Sequence, residues 1–111
     1  MSSTQKNILL VEEFFFRRFV SGKVNWLLSQ MPNLRKVQYY MPFIYYDCCP
    51  TSEDFARAGY PEVEVQCINT TLGSGTIELL RNHTEFEVPT IIVYKEEEKT
   101  IAEEHLIISH E

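Results

Sequence analysis

The sequence predicts an α/β domain with a mixed four-stranded sheet, flanking helices and an added N-terminal helix, and three stretches predict it. Val88-Pro89-Thr90-Ile91-Ile92-Val93-Tyr94 is a β-branched run opening on proline. Such a run reads as a strand buried on both faces, with the proline at its first residue because it cannot donate to a ladder. Val63-Glu64-Val65-Gln66-Cys67-Ile68 alternates with period two, as a half-buried strand does. Between them, Gly75 to Phe86 carries Ile77, Leu79, Leu80 and Phe86 at apolar positions that predict a helix. A charged turn, Lys95-Glu96-Glu97-Glu98-Lys99, then leads to Thr100-Ile101-Ala102, which reads as the return strand of a hairpin and supplies the antiparallel pair of a mixed sheet.

Taken in order, Met1 to Lys6 is polar and reads as a frayed end. Val11, Phe15 and Phe19, with Phe16, Val20, Val24, Leu27, Leu28 and Met31, recur at helical spacing. The expectation is one helix or two from Ile8 to Gln30, with Gly22 as a break and Pro32-Asn33 as the stop. Val37 to Met41 reads as the first strand, and Phe43 to Tyr46 is an alternative register for it. Thr51 or Ser52 can cap a short helix over Ser52 to Ala58, with Glu53 and Asp54 at its positive end. Gly59-Tyr60-Pro61 stops that helix, and the last ten residues form a short helix or strand. The implied division is a helical aromatic extension at 1–33 and a βαβαββ domain at 34–111.

A chain of 111 residues supports one modest core, and 44% hydrophobic residues is ordinary for a globular protein. No uncharged apolar run approaches the roughly 18–20 residues of a membrane span. No secretory signal is expected, and Glu12 and Glu13 argue against a cleavable transit peptide. The net charge of −6 is unevenly spread. Through Lys36 there are six basic residues against two acidic; the remainder has four against fourteen. An acidic body repels phosphate, so only the N-terminal segment is expected to lie against RNA or an acidic protein. The same charges also read as an ordinary solvated helix face.

Three cysteines, two of them adjacent, make no disulfide framework and fit a reducing compartment, the mitochondrial matrix or the cytosol. Cys48, Cys49, Cys67 and His83 lack the spaced pairs of a zinc site, and His105 and His110 sit in an acidic tail. We expect no metal and no cofactor. Gly73-Ser74-Gly75 is too short for a phosphate fingerprint.

Strand, helix, proline-led strand and hairpin together resemble the second half of a thioredoxin-like domain. Within that frame, Ile44-Tyr45-Tyr46-Asp47-Cys48-Cys49-Pro50-Thr51-Ser52 resembles a one-cysteine glutaredoxin site. The resemblance implies Cys49 as nucleophile with a lowered pKa at a helix start, Ser52 in place of a resolving cysteine, and Pro89 beside the sulfur. The alternative is that both cysteines are small buried residues at a strand-to-helix junction.

A second resemblance runs from about Leu34 to Ile101. Arg35-Lys36-Val37-Gln38-Tyr39-Tyr40-Met41-Pro42-Phe43, the helix through Phe55-Ala56-Arg57, and the proline-led strand with its charged turn are similar to the thioredoxin-like proteins of the mitochondrial ribosome, a family shared with a small accessory subunit of respiratory complex I. It implies a non-catalytic structural subunit of a mitochondrial assembly, foremost the large ribosomal subunit. Its partners would be neighbouring protein subunits, with limited rRNA contact. The surplus of aromatic residues at the N-terminus gives the expected docking element: Phe14, Phe15, Phe16, Phe19 and Trp26, with Arg17, Arg18 and Lys23 meeting phosphate or an acidic neighbour. Ordinary internal packing is the alternative for the same residues. Two other functions stay open, a monothiol oxidoreductase using Cys49 and an adaptor binding a peptide at the Val88–Tyr94 edge or on the aromatic helix.

Overall fold

The computed structural model describes residues 7–82 and 86–97. Its frame is a four-stranded sheet built from β1 (Ile8–Glu12), β2 (Lys36–Tyr40), β3 (Glu64–Ile68) and β4 (Thr90–Tyr94), in the order β1-β4-β2-β3. Among the described residues all three pairings are parallel, where a mixed sheet was expected. The register runs Ile8 to Thr90 to Lys36 to Glu64 across the amino ends of the strands. β4 has β1 along one edge and β2 along the other, which leaves it no free edge for a hairpin partner. The return strand expected near Thr100 to Ala102, the tail beyond it, and His83, His105 and His110 lie outside the described residues.

The helices are α1 (Glu13–Phe19), α2 (Lys23–Gln30), α3 (Ser52–Arg57) and α4 (Ser74–Asn82). Phe16 of α1, Leu27 of α2 and Phe55 of α3 pack with Val11, Val37, Tyr39, Ile91 and Val93 on one face of the sheet. Ile77 and Leu80 of α4 pack with Ile8, Ile92 and Tyr94 on the other. Crossovers of one common hand account for this division, the right hand being the general rule for parallel strands. The connections β1 to β2 and β2 to β3 run across the sheet in the same direction and share a face, whereas β3 to β4 runs back and takes the opposite one. β4 is therefore covered on both faces, and all five of its residues are buried, as its β-branched composition predicts.

The N-terminal segment departs most from expectation. Ile8 to Gln30 is not a helical extension but a strand followed by two helices. Its first five residues complete the sheet, and Val11, Phe16, Val20, Leu27 and Met31 belong to the main core. The segment before residue 34 is thus part of the domain. Gly22, at φ +61°, takes the left-handed conformation that separates α1 from α2.

The remaining elements follow their sequence signals closely. The segment Phe43–Cys48 forms a 3-10 turn, not an alternative strand. The cap of α3 is Thr51: its hydroxyl accepts from the Asp54 N–H, and the Asp54 carboxylate accepts from the Thr51 N–H at 2.8 Å. That backbone donor, with Arg57 and the Thr51 hydroxyl, holds the Asp54 carboxyl below the usual carboxylate range. A carboxyl depressed in the folded state contributes stability above its unfolded pKa and loses it as pH falls through the folded value. Thr51→Ala should therefore cost about 1 kcal/mol in urea melts at neutral pH. Asp54→Asn should flatten the loss of stability on acidification; an acid limb unchanged by Asp54→Asn would assign that loss to other groups.

Candidate functional site

Glu13, Phe16, Arg17 and Val20 form the stripe facing the sheet, and Glu13, Phe16 and Val20 are buried. Phe14, Phe15, Arg18 and Phe19 form the opposite stripe, and its three phenylalanines are 49%, 43% and 68% exposed. Large aromatic side chains gathered in solvent are informative in a way that a single exposed leucine is not. The rings are contiguous: Phe14 lies 5.9 Å from Phe19, Phe19 lies 6.2 Å from Phe15, and Phe15 lies 5.8 Å from half-buried Trp26. Trp26 then meets Phe16, and Phe16 meets Tyr39 in the core. One chain of rings joins the surface patch to the central sheet, so the exposed rings sit on a rigid base.

The structure thus divides the residues expected to form a docking element. Phe14, Phe15 and Phe19 face solvent, while Trp26 buttresses them. Phe16 does not belong to the surface; at 1% exposure it is a core residue. The cations are divided too. Arg17 pairs with the buried Glu13 four residues before it and stacks 4.8 Å over the Tyr45 ring. The Glu13 hydrogen bond raises the Arg17 pKa further, and its charge is matched within the chain. Lys23 donates to the Val20 carbonyl at 2.8 Å and lies over Phe16. Arg18 sits on the exposed stripe with its guanidinium 5.5 Å over the Phe14 ring, and it presents a positive charge beside the aromatic patch.

Sequence reasoning passed over two residues here. The Glu13–Arg17 spacing is the i, i+4 signal of a helical ion pair. Tyr45 carried no signal, because its role as a platform for both Arg17 and Lys95 depends on the 3-10 turn bringing it across from another part of the chain. A cleft of about 340 Å³ borders the patch at the carboxyl ends of β1 and β4, lined by Glu12, Glu13, Phe14, Arg17, Lys95 and Glu96. Open parallel sheets commonly seat ligands at that end.

The thiol site implied by the glutaredoxin resemblance is not assembled. Cys49 is buried, and burial pushes its thiol up, with Cys48 adding to the rise; a nucleophile needs the reverse. Cys49 packs on Met41, just past the carboxyl end of β2, whereas Pro89 precedes the amino end of β4. Sulfur and proline therefore lie at opposite ends of the strands. The Pro89 carbonyl accepts from Arg35 and Lys36, so the residue anchors the sheet. Ser52 is exposed in the first turn of α3. The Val88–Tyr94 edge expected for a peptide is likewise closed, because β1 and β2 occupy both sides of β4.

Among the described residues no helix is long and apolar enough to cross a membrane. Nor do three His, Cys, Asp or Glu side chains among them converge on a common metal position. No known protein family, curated protein or solved structure matches the chain.

Proposed function

We propose that this chain is a non-catalytic structural subunit that docks into a larger assembly through the outer stripe of α1. The observation that carries the reading is the contiguous patch of Phe14, Phe15 and Phe19 beside Arg18, held from beneath by Trp26 and Phe16. Aromatic residues and arginine are the side chains enriched at interface centres, where they combine large contact area with little lost side-chain freedom. The partner that fits is another protein, offering an apolar surface with a carboxylate to meet Arg18. Carboxylates Glu12 and Glu96 on the neighbouring cleft, together with the matched charge of Arg17, weigh against extended contact with RNA phosphate. The large subunit of the mitochondrial ribosome is the assembly named by the sequence resemblance, and limited rRNA contact would fall to Arg18. A thioredoxin-like origin is not required by this reading, since the docking stripe belongs to the segment outside that resemblance.

The test is sedimentation. In a mitochondrial extract the tagged chain should travel with the large ribosomal subunit on a sucrose gradient. The triple variant Phe14→Ser, Phe15→Ser, Phe19→Ser should return to the top of the gradient while keeping the wild-type melting curve. Wild-type chain found only at the top removes the ribosomal assignment, and a triple variant that still co-sediments removes the docking stripe.

A further inference from the structure

The 3-10 turn over Phe43–Cys48 does more than connect β2 to α3. It folds the chain back so that Cys49 meets Met41, the residue that follows β2, with Cys48 beside Cys49. The Cys48 and Cys49 Sγ atoms are 3.9 Å apart, and the Cys49 Sγ is 3.8 Å from the Met41 Sδ. An ion in trigonal coordination with metal–sulfur bonds of roughly 2.3 Å sets neighbouring sulfurs roughly 4.0 Å apart. These spacings match two sides of that triangle, and closing the third requires the Cys48 thiol to release the Tyr45 carbonyl, to which it donates at 2.9 Å. Two thiols and a thioether are soft donors, the set that favours a monovalent copper ion over zinc or the oxygen-seeking cations.

The surroundings fit the same ligand. Met41 is fully buried and held by its N–H to the Ile68 carbonyl, while the Tyr39 hydroxyl donates to the Pro50 carbonyl at 2.8 Å and pins the cysteine junction to the sheet. An open cleft of about 300 Å³, lined by Lys23, Asp47, Cys48, Cys49, Pro50 and Asp54, borders the cysteine pair from solvent. Lys23 supplies a positive charge on that route, which offsets the net negative charge of a bis-thiolate copper(I) centre. The geometry points to a copper(I) site formed by Cys48, Cys49 and Met41 at the carboxyl end of β2. Binding breaks two S–H bonds and forms two copper–thiolate bonds. Two protons pass to solvent, Met41 contributes a lone pair, and no electron is transferred.

The full chain, reduced and free of oxygen, is titrated with copper(I) against a chromogenic copper(I) chelator. One copper(I) per chain should be retained. Cys48→Ala and Cys49→Ala should each weaken retention by at least about a hundredfold, and Met41→Leu by about tenfold, larger than or comparable to the losses seen when only supporting residues of metal sites are changed. Cys67→Ala should leave it unchanged. Met41→Leu conserves volume, so it reports on the thioether even if a cysteine variant fails to fold. X-ray absorption should show three sulfur neighbours in the wild type and two in Met41→Leu. Absence of stoichiometric copper(I), equal loss in Cys67→Ala, preferential zinc binding, or a spectrum indifferent to Met41→Leu each overturns the site.

Discussion

Phe16→Ala will destabilise the protein by about 3–5 kcal/mol, whereas Phe19→Ala three residues on will change stability by less than about 0.5 kcal/mol. Both are phenylalanines on the same seven-residue helix, and the contrast comes from the side of α1 each occupies. Phe16 is 1% exposed and packs between Trp26 and Tyr39; Phe19 is 68% exposed. Removing the Phe16 ring loses its transfer free energy and opens a cavity beside Val11 and Ile91, which cannot collapse because β1 and β4 hold those residues in register. Against a total stability of about 5–15 kcal/mol that loss is a large fraction. Urea denaturation of the two variants measures it. Equal midpoints would mean that Phe16 is not a core residue and that the facing of α1 is wrong. Because Phe19→Ala is expected to fold normally, any binding it loses can be assigned to the docking stripe.

A chain beginning at residue 34 will not fold. In a thioredoxin-like protein with an appended helix, 34–111 would be an independent domain. Here truncation strips Val11, Phe16, Val20, Leu27 and Met31 from the main core and Ile8 from the other face. It also uncovers one edge of β4, whose five buried residues have no polar side chain besides Thr90 and the Tyr94 hydroxyl to tolerate water. Exposed apolar strand edges of this kind pair with other chains. The fragment should show no cooperative melt and should aggregate; a soluble fragment with a sharp thermal transition would restore the boundary at 33/34.

The elements that sequence made legible are those whose signal is local. Thr51 and Asp54 announce a capped helix start through three-residue spacing, and the capping box is present. Thr90 to Tyr94 announces a buried strand through β-branching, and it lies at the covered centre of the sheet. β1 was hidden because Ile8-Leu9-Leu10-Val11 is a short apolar run that strand and helix share, and it runs without a break into Glu13 to Phe19. Strand direction was legible only where helices join the strands, which implies parallel neighbours, and not for β1. Period-two alternation says which residues share a face but not whether a neighbour runs with or against them. The charged turn after Tyr94 suggested reversal; through Glu97 the chain runs along the loop before α4, with Leu72 donating to the Lys95 carbonyl and Glu97 donating to the Leu72 carbonyl, and the expected return strand lies outside the described residues.

The candidate site was legible in composition and not in arrangement. A surplus of phenylalanine was visible, but which of Phe14, Phe15, Phe16 and Phe19 is inside depends on the phase of α1. That phase is set by Glu13 and Arg17 on the inner stripe, with Arg17 reaching Tyr45. Of the sulfur cluster, sequence showed the adjacent Cys48 and Cys49, but nothing joined Met41 to them. Met41 and Cys49 are eight residues apart and meet only because the 3-10 turn reverses the path between them.

The strand order has a consequence for how this protein is made. Ile8 pairs with Thr90, 82 positions later, and β2 must also wait for β4 before it is flanked on that side. During synthesis the nascent chain therefore carries β1 and the phenylalanine-rich helix as an unclosed piece until the last of the four strands emerges. Folding dominated by such distant contacts is slow and leaves sticky surface open meanwhile. The expected cellular behaviour is chaperone dependence that lasts until residues 90–94 are free to pair with β1 and β2.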